Sequence, residues 1–499
     1  MKKRLFISVI VICLLMMPIN CFADVIEDAS SEVQKSESNY TPNVTVKYVE
    51  QNQAKLEGLP NVGCKAVYIA EPTTGKVIYE KNAHEVLYPA STTKILTALL
   101  TLENCKMDET AIVSKNAVDL VPDGYSNAKL QPGEELTIED LLYALMLPSA
   151  NEAANVLAEH ISGSVEAFAE LSNKRAKELG CEHLHFVNPN GIHDTNHVCT
   201  AYDLYLIAKE CKKYDIFNEI VKTTSYTLPS TDIYPGTRTI KTTNDLLLNG
   251  TYYYEYCTGI KTGTTTPAGQ CLVASSFKDD IELIAVVLGG ATNANGLAER
   301  FYDTKRLFEY TYDTYSIKQI AEYGKVVITL DVGKAKKDSR ELDVIVDTDI
   351  STIVPNDLDV ENILTTVSIK DNIVAPIKEN EVLGQITYEA DGLEYTTNLI
   401  ASHSVDKLPY MLYNAIIIGT VAFTIFIIFI LLIKSKKRNR KKVLLIGIII
   451  LLLEFTGMIF IYKDGYKKSI TKPISNEVAV VSKTTNEQNV LEYEEVSNQ

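Results

Sequence analysis

The stretch that follows Pro89-Ala90 is apolar on nearly every side, with Ile95, Leu96, Ala98, Leu99, Leu100 and Leu102 over one short run. A helix of this kind cannot lie on a surface, since each aliphatic side chain left in water forgoes about 1.5–3 kcal/mol of burial. It has to run through the centre of a domain with other elements packed around it. Yet Lys94 stands in its first turn, three residues after Ser91. Residues three apart share a helix face, with Cβ atoms about 5–6 Å from each other. On an amphipathic helix, Ser91 would be a cap and Lys94 a surface cation; here the lysine is forced inward. To serve as a base near neutrality it must fall from its ordinary value of about 10.4, at a cost of about 4 kcal/mol. Burial and a second cation can together supply that. A hydroxyl beside a neutral amine is a nucleophile with its proton acceptor. Ser91, at a helix start, also lies where unpaired N–H groups favour a developing oxyanion.

Two later motifs supply partners. Thr137 caps a helix expected over 138–147, with Glu139 and Asp140 in its first turn. Pro148 follows it, and another helix is expected over about 151–161, so Ser149-Ala150-Asn151 falls in a tight helix-to-helix connection. Ser149 offers a hydroxyl to relay a proton to a leaving amine, and Asn151 an amide to hold a substrate peptide bond. Strands are expected over 256–262, 269–276 and 282–290, an antiparallel meander. Lys261-Thr262-Gly263 ends the first of these, which is taken as an inner strand of the sheet. Lys261 is the second cation that Lys94 needs, and with Thr262 it can bind a carboxylate. Gly263 lets substrate backbone approach, and the N–H of Thr264 can complete an oxyanion hole with that of Ser91. A hairpin at 65–71 and 76–80, around Pro72-Thr73-Thr74-Gly75, and a helix over about 297–310 complete an α+β domain, an antiparallel sheet flanked by helices.

The rest of the 499 residues divides by texture. Residues 1–23 have three cations, an apolar run and Cys21-Phe22-Ala23, the pattern of a secretory signal peptide. A polar linker is expected over 24–57, the catalytic domain over 58–322 and a small all-β domain over 323–407. Apolar segments at 415–433 and 443–462 flank a basic loop at 434–442. They are expected to form a transmembrane hairpin with that loop cytoplasmic, so that residues 24–412 and a disordered tail at 463–499 lie outside. Glu454, inside the second segment, is expected to bond Thr420 or Thr424 on the first. A net charge of −16 argues against nucleic acid as a partner. Of nine cysteines, Cys13 and Cys21 precede the proposed cut; the remaining seven lack metal spacing and leave any disulfide undefined. His183, His185, His193 and His197 lack the helical spacing of a catalytic zinc site and are taken as ordinary loop histidines. No metal and no cofactor is called for.

Ser91-Thr92-Thr93-Lys94, Ser149-Ala150-Asn151 and Lys261-Thr262-Gly263, in that order, resemble the motifs of low-molecular-weight penicillin-binding proteins, the serine-type D-alanyl-D-alanine carboxypeptidases. Asn188-Pro189-Asn190-Gly191-Ile192, Thr200-Ala201-Tyr202-Asp203 and Glu299-Arg300-Phe301 are similar to that family too, and the likeness covers about residues 60–405. The resemblance implies a β-lactamase/transpeptidase-like fold. It implies Ser91 as acylated nucleophile, Lys94 as its proton acceptor and Ser149 in the proton relay, with Lys261, Thr262 and Arg300 gripping a terminal carboxylate. The substrate would be the peptidoglycan stem pentapeptide, β-lactam antibiotics would bind, and the enzyme would work outside a bacterial cell, anchored in its membrane. Thr264 departs from the histidine of many relatives, and the hairpin with its tail departs from their single anchor. Two alternatives stand beside this reading. A class A-like β-lactamase needs a deacylating Glu-x-x-Leu-Asn segment, whereas Glu170-Leu171-Ser172-Asn173 has other spacing. An idle cell-wall peptide-binding protein would have no use for a buried lysine, which is costly to desolvate.

Overall fold

In the computed structural model, residues 44–48, 59–336, 339–408, 410–435, 439–465, 470–473 and 479–480 are described. The expected signal peptide and most of the expected linker lie outside them. One piece of that linker, Thr45–Tyr48, is strand β1.

Helix α1 (Lys94–Asn104) takes the central place that its composition demands. A 3-10 turn, Ala90–Thr93, leads into it, and every side chain from Lys94 to Thr101 is buried. Around it pack α2 (Ile138–Met146), α3 (Asn151–Ser162) and α4 (Ala201–Cys211). Thr137 caps α2 as expected, its Oγ1 accepting from the Asp140 N–H at 3.1 Å.

These helices cover one face of a five-stranded antiparallel sheet. Its strands are β2 (Ala66–Ala70), β3 (Val77–Lys81), β4 (Cys257–Thr265), β5 (Gly269–Lys278) and β6 (Ile281–Gly290), in the order β3-β2-β6-β5-β4. Period-two alternation sorts the sheet's side chains. Ile284, Val286 and Leu288 join the cluster of α1–α4, while Leu283, Ala285 and Val287 pack with Phe301, Leu307 and Phe308 of α5 (Glu299–Thr314). Strand β4, expected inside the sheet, lies at its edge. Its outer side is free of a strand partner because the 3-10 turn carrying Ser91 packs there instead.

The second module begins at Tyr315, earlier than the expected 323. Strand β7 (Tyr315–Ala321) pairs with β10 (Ile350–Pro355), and β8 (Val326–Asp331), β9 (Glu341–Val346), β11 (Leu364–Ile369), β12 (Val382–Ala390) and β13 (Leu393–Ala401) form a sheet ordered β8-β9-β13-β12-β11. It has its own core, which includes Leu342, Val344, Val367, Tyr395 and Leu399. Strand β1 pairs with the Leu393–Thr396 end of β13, tying the N-terminal segment to this module. Lys76, next to β3, pairs with Asp391 of the β12–β13 turn at 2.7 Å and joins the two modules.

The transmembrane hairpin requires correction. Helices α6 (Tyr410–Lys434) and α7 (Arg440–Gly465) form, and Thr424 Oγ1 donates to Glu454 Oε1 at 2.8 Å. Among the described residues, however, no helix is long and apolar enough to cross a membrane. A span needs about 20 consecutive apolar residues. Lys434 closes α6, and α7 carries the charged Arg440, Lys441 and Glu454. The inside–outside assignment of the 434–442 loop falls with the hairpin. The tail expected to be disordered also contains structure, since Ile470–Pro473 pairs with β8 and Ala479–Val480 with β11.

Gly191 shows how tightly the centre is assembled. Its φ is +81°, and a Cβ there would lie 1.9 Å from the Ala90 carbonyl oxygen, one residue before Ser91. Gly191→Ala is expected to lower stability by about 1–3 kcal/mol, measurable as a fall in melting temperature, because neither backbone can retreat cheaply.

Candidate active site

The three motifs converge. The 3-10 turn holds Ser91 half-exposed at the mouth of α1, while Lys94, one turn on, is fully buried. Lys94 Nζ donates to Ser91 Oγ at 3.1 Å, to Asn151 Oδ1 at 2.8 Å and to the Asn190 carbonyl at 2.6 Å. Three oxygens at hydrogen-bond distance hold Nζ in one position. Burial drives its pKa well below the ordinary lysine range; the Lys261 cation adds to this and the Glu152 carboxylate opposes it.

Lys261 is buried on the edge strand, and its Nζ donates to the Thr262 carbonyl at 3.1 Å. Burial, with the Arg300 guanidinium, brings its pKa down to about 7. Arg300, on the first turn of α5, donates to the Gly263 carbonyl at 3.1 Å and to Thr264 Oγ1 at 2.7 Å. Its Nε is buried without a partner, a donor left over for a ligand. Thr262 Oγ1 bonds Thr243 Oγ1, and Thr264 is exposed beside the groove. Gly263 is where strand and turn meet: a Cβ there would lie 2.9 Å from the Ser91 nitrogen and 3.0 Å from the Pro89 carbonyl. The glycine therefore admits the Ser91 turn itself, a closer neighbour than the substrate backbone for which it was singled out.

Ser149 sits between α2 and α3 with φ +65°, in the left-handed region, and its Oγ is buried with no hydrogen-bond partner. A buried hydroxyl left unpaired costs about 1–3 kcal/mol. Asn151 differs from its expected use. Its Oδ1 accepts from Lys94, and its Nδ2 donates to the Ser126 carbonyl at 2.9 Å, so both ends of the amide are engaged.

Three neighbours escaped sequence reasoning. Glu152 is buried, and its Oε1 accepts from the Ala128 N–H at 2.6 Å; burial raises its pKa. The Asn190 carbonyl is aimed by its own side chain, whose Nδ2 donates to Asn155 Oδ1 at 3.1 Å while its Oδ1 accepts from the Ile192 N–H at 3.0 Å. His197 is no ordinary loop histidine. Its Nδ1 accepts from the Val187 N–H at 3.1 Å, so Nε2 carries the proton and bonds Thr93 Oγ1 at 2.8 Å. The ring stacks on Phe186 with centroids 4.5 Å apart, and burial lowers its pKa to about 3, which keeps it neutral. A polar side chain next to an apolar run was the available signal for Glu152. Asn190 lies in one of the motifs that carry the resemblance, but its carbonyl's partner, like that of His197, lies far away in sequence.

The seven described cysteines are all free thiols.

The profile of the family described as D-alanyl-D-alanine carboxypeptidase matches residues 51–292, and that of the penicillin-binding protein 5 C-terminal domain matches 315–407. The D-alanyl-D-alanine carboxypeptidase DacF of Bacillus subtilis is 34% identical over 334 residues, covering 66% of this chain and 82% of that protein. The chain belongs to the D-alanyl-D-alanine carboxypeptidase family. The carboxypeptidase DacA of Escherichia coli is 28% identical over 351 residues, covering 68% of this chain and 82% of its own length. Among solved structures, a peptidoglycan synthesis regulatory factor (PBP3) from Streptococcus pneumoniae aligns with a TM-score of 0.55 at 26% identity, covering 70% of this chain and all of that one (100%). This carboxypeptidase is thus a serine-type hydrolase of D-Ala-D-Ala ends and a penicillin-binding protein. The β-lactamase and idle-binder alternatives are not favoured.

Proposed function

We propose that Ser91 Oγ attacks the carbonyl of the penultimate D-alanine of a peptidoglycan stem pentapeptide, with Lys94 Nζ accepting its proton. The C–N bond breaks, the terminal D-alanine leaves as the amine, and the proton reaches it through the Ser149 hydroxyl. Water then cleaves the Ser91 ester, and a second proton returns to the serine. The N–H groups of Ser91 and Thr264 hold the oxyanion; Lys261, Thr262 and Arg300 hold the terminal carboxylate. Asn151 and the Asn190 carbonyl position Lys94. The leading segment exports the chain, so the reaction takes place outside the cytoplasm, where peptidoglycan lies.

One observation carries this reading: a buried lysine within 3.1 Å of the Ser91 hydroxyl, facing a cationic strand edge. Two cations, the buried Lys261 and the half-buried Arg300, lie beside the Ser91–Lys94 pair, and such a field favours an anionic chain end. A purified sample should release D-alanine from a stem pentapeptide but spare the same peptide with an amidated C-terminus. Arg300→Gln should raise KM at least about 30-fold, the ~2 kcal/mol of a desolvated charge contact. Equal cleavage of free and amidated peptides would remove the carboxylate grip from the mechanism.

A further inference from the structure

A second group of chemistry-bearing side chains lies at the far end of the two helices that shape the catalytic centre. Helices α1 and α3 both start at that centre, where Lys94 bonds Asn151, and they also finish together. Cys105 is the residue that ends α1, and His160 stands in the last turn of α3. Glu109, from the loop after α1, joins them. The Cys105 thiol, a Glu109 carboxylate oxygen and a His160 ring nitrogen all lie within 4.8 Å of one another, and Glu109 Oε1 is 2.9 Å from His160 Nε2. Zinc binds sulfur at about 2.3 Å and nitrogen or oxygen at about 2.0–2.2 Å. Tetrahedral ligands at those bond lengths stand about 3–4 Å apart, a spacing that this cluster already brackets.

Two features distinguish the group from a chance ion pair. Cys105 alone among the seven described cysteines is half-buried rather than buried, while Glu109 and His160 beside it are exposed. Glu109 is also held in place: its Oε2 accepts from the Lys106 N–H at 3.2 Å, and its carbonyl accepts from the Ile138 N–H at the start of α2 at 2.8 Å. The donor set is one thiolate, one carboxylate and one neutral imidazole, whose two negative charges balance a divalent ion. Sulfur and imidazole together select zinc over calcium or magnesium, which require oxygen ligands.

We propose that Cys105, Glu109 and His160 bind a zinc ion, with water as fourth ligand, that staples together the ends of α1 and α3 remote from the catalytic centre. As the Zn–S bond forms, the thiol gives its proton to solvent. The ion is structural, because the reacting hydroxyl lies at the opposite end of both helices.

The test uses the full-length protein, stripped with a chelator and titrated with cobalt(II) and then zinc(II). One equivalent of cobalt should bind and produce a thiolate-to-metal charge-transfer band in the near ultraviolet. Zinc should displace it and raise the melting temperature. Cys105→Ser and His160→Gln should each lose the band and the thermal shift while still forming the penicillin adduct on Ser91, which shows that they are folded. Absence of stoichiometric binding, or an unchanged band in Cys105→Ser, would overturn the proposal and leave Glu109 and His160 as an ion pair.

Discussion

Replacing Ser91 with alanine is expected to abolish penicillin acylation and to lower D-alanine release by roughly a million-fold, the scale seen when a serine hydrolase loses its nucleophile. No other group can take its place. Ser149 has a free hydroxyl, but the turn at the mouth of α1 brings the Ser91 hydroxyl, at 3.1 Å, to the amine that must take the proton. The substitution should leave the fold intact, because Lys94 keeps its bonds to Asn151 and the Asn190 carbonyl. The mass of the protein after penicillin treatment, with the modified peptide mapped, provides the check. An adduct on any residue of the alanine variant would displace Ser91 from its role.

The pH dependence of kcat/KM should follow two lysines that act in opposite senses. In the proposed mechanism Lys94 works when neutral and Lys261 when charged. Burial holds its pKa well below the usual lysine range, so the rate climbs as pH rises through that lowered value. Lys261 sits at about 7 in the free enzyme, so the rate declines as pH passes above about 7. Lys94→Met should cut kcat/KM by about 10³–10⁴-fold, in keeping with loss of a general base, and the rising limb should go with it. Lys261→Ala should remove the falling limb. A pH–rate profile in which Lys94→Met keeps both limbs would show that the proton goes elsewhere.

Much of this arrangement could be read in the residues themselves. A helix without a polar face had to be central, so a lysine in its first turn had to be buried, and Lys94 is. The β2–β3 hairpin and the β4–β6 meander announced themselves through alternation and turn residues. What escaped was set by distance along the chain. His197 meets Thr93 across 104 positions and the Asn190 carbonyl meets Lys94 across 96, and no local pattern encodes either contact. Asn151 was legible as a functional residue, but its partners, Lys94 Nζ and the Ser126 carbonyl, were not. Strands β7, β10 and β13 went unread because their alternation is short and broken by polar residues at buried positions, such as Thr352 and Thr397. The hairpin was over-read from hydropathy: both segments are helical, but among the described residues no helix is long and apolar enough to cross a membrane.

The edge position of β4 has a consequence for how this enzyme can change. Lys94 is buried in the same packed helix that organises the domain, so what can stand in its place is limited by the packing around it. Thr264 is different: it faces solvent, forms no part of the core and accepts from the guanidinium proposed to hold the substrate carboxylate. Natural variation in drug sensitivity should therefore accumulate on that rim, where a substitution can alter recognition without compromising the molecule that carries it.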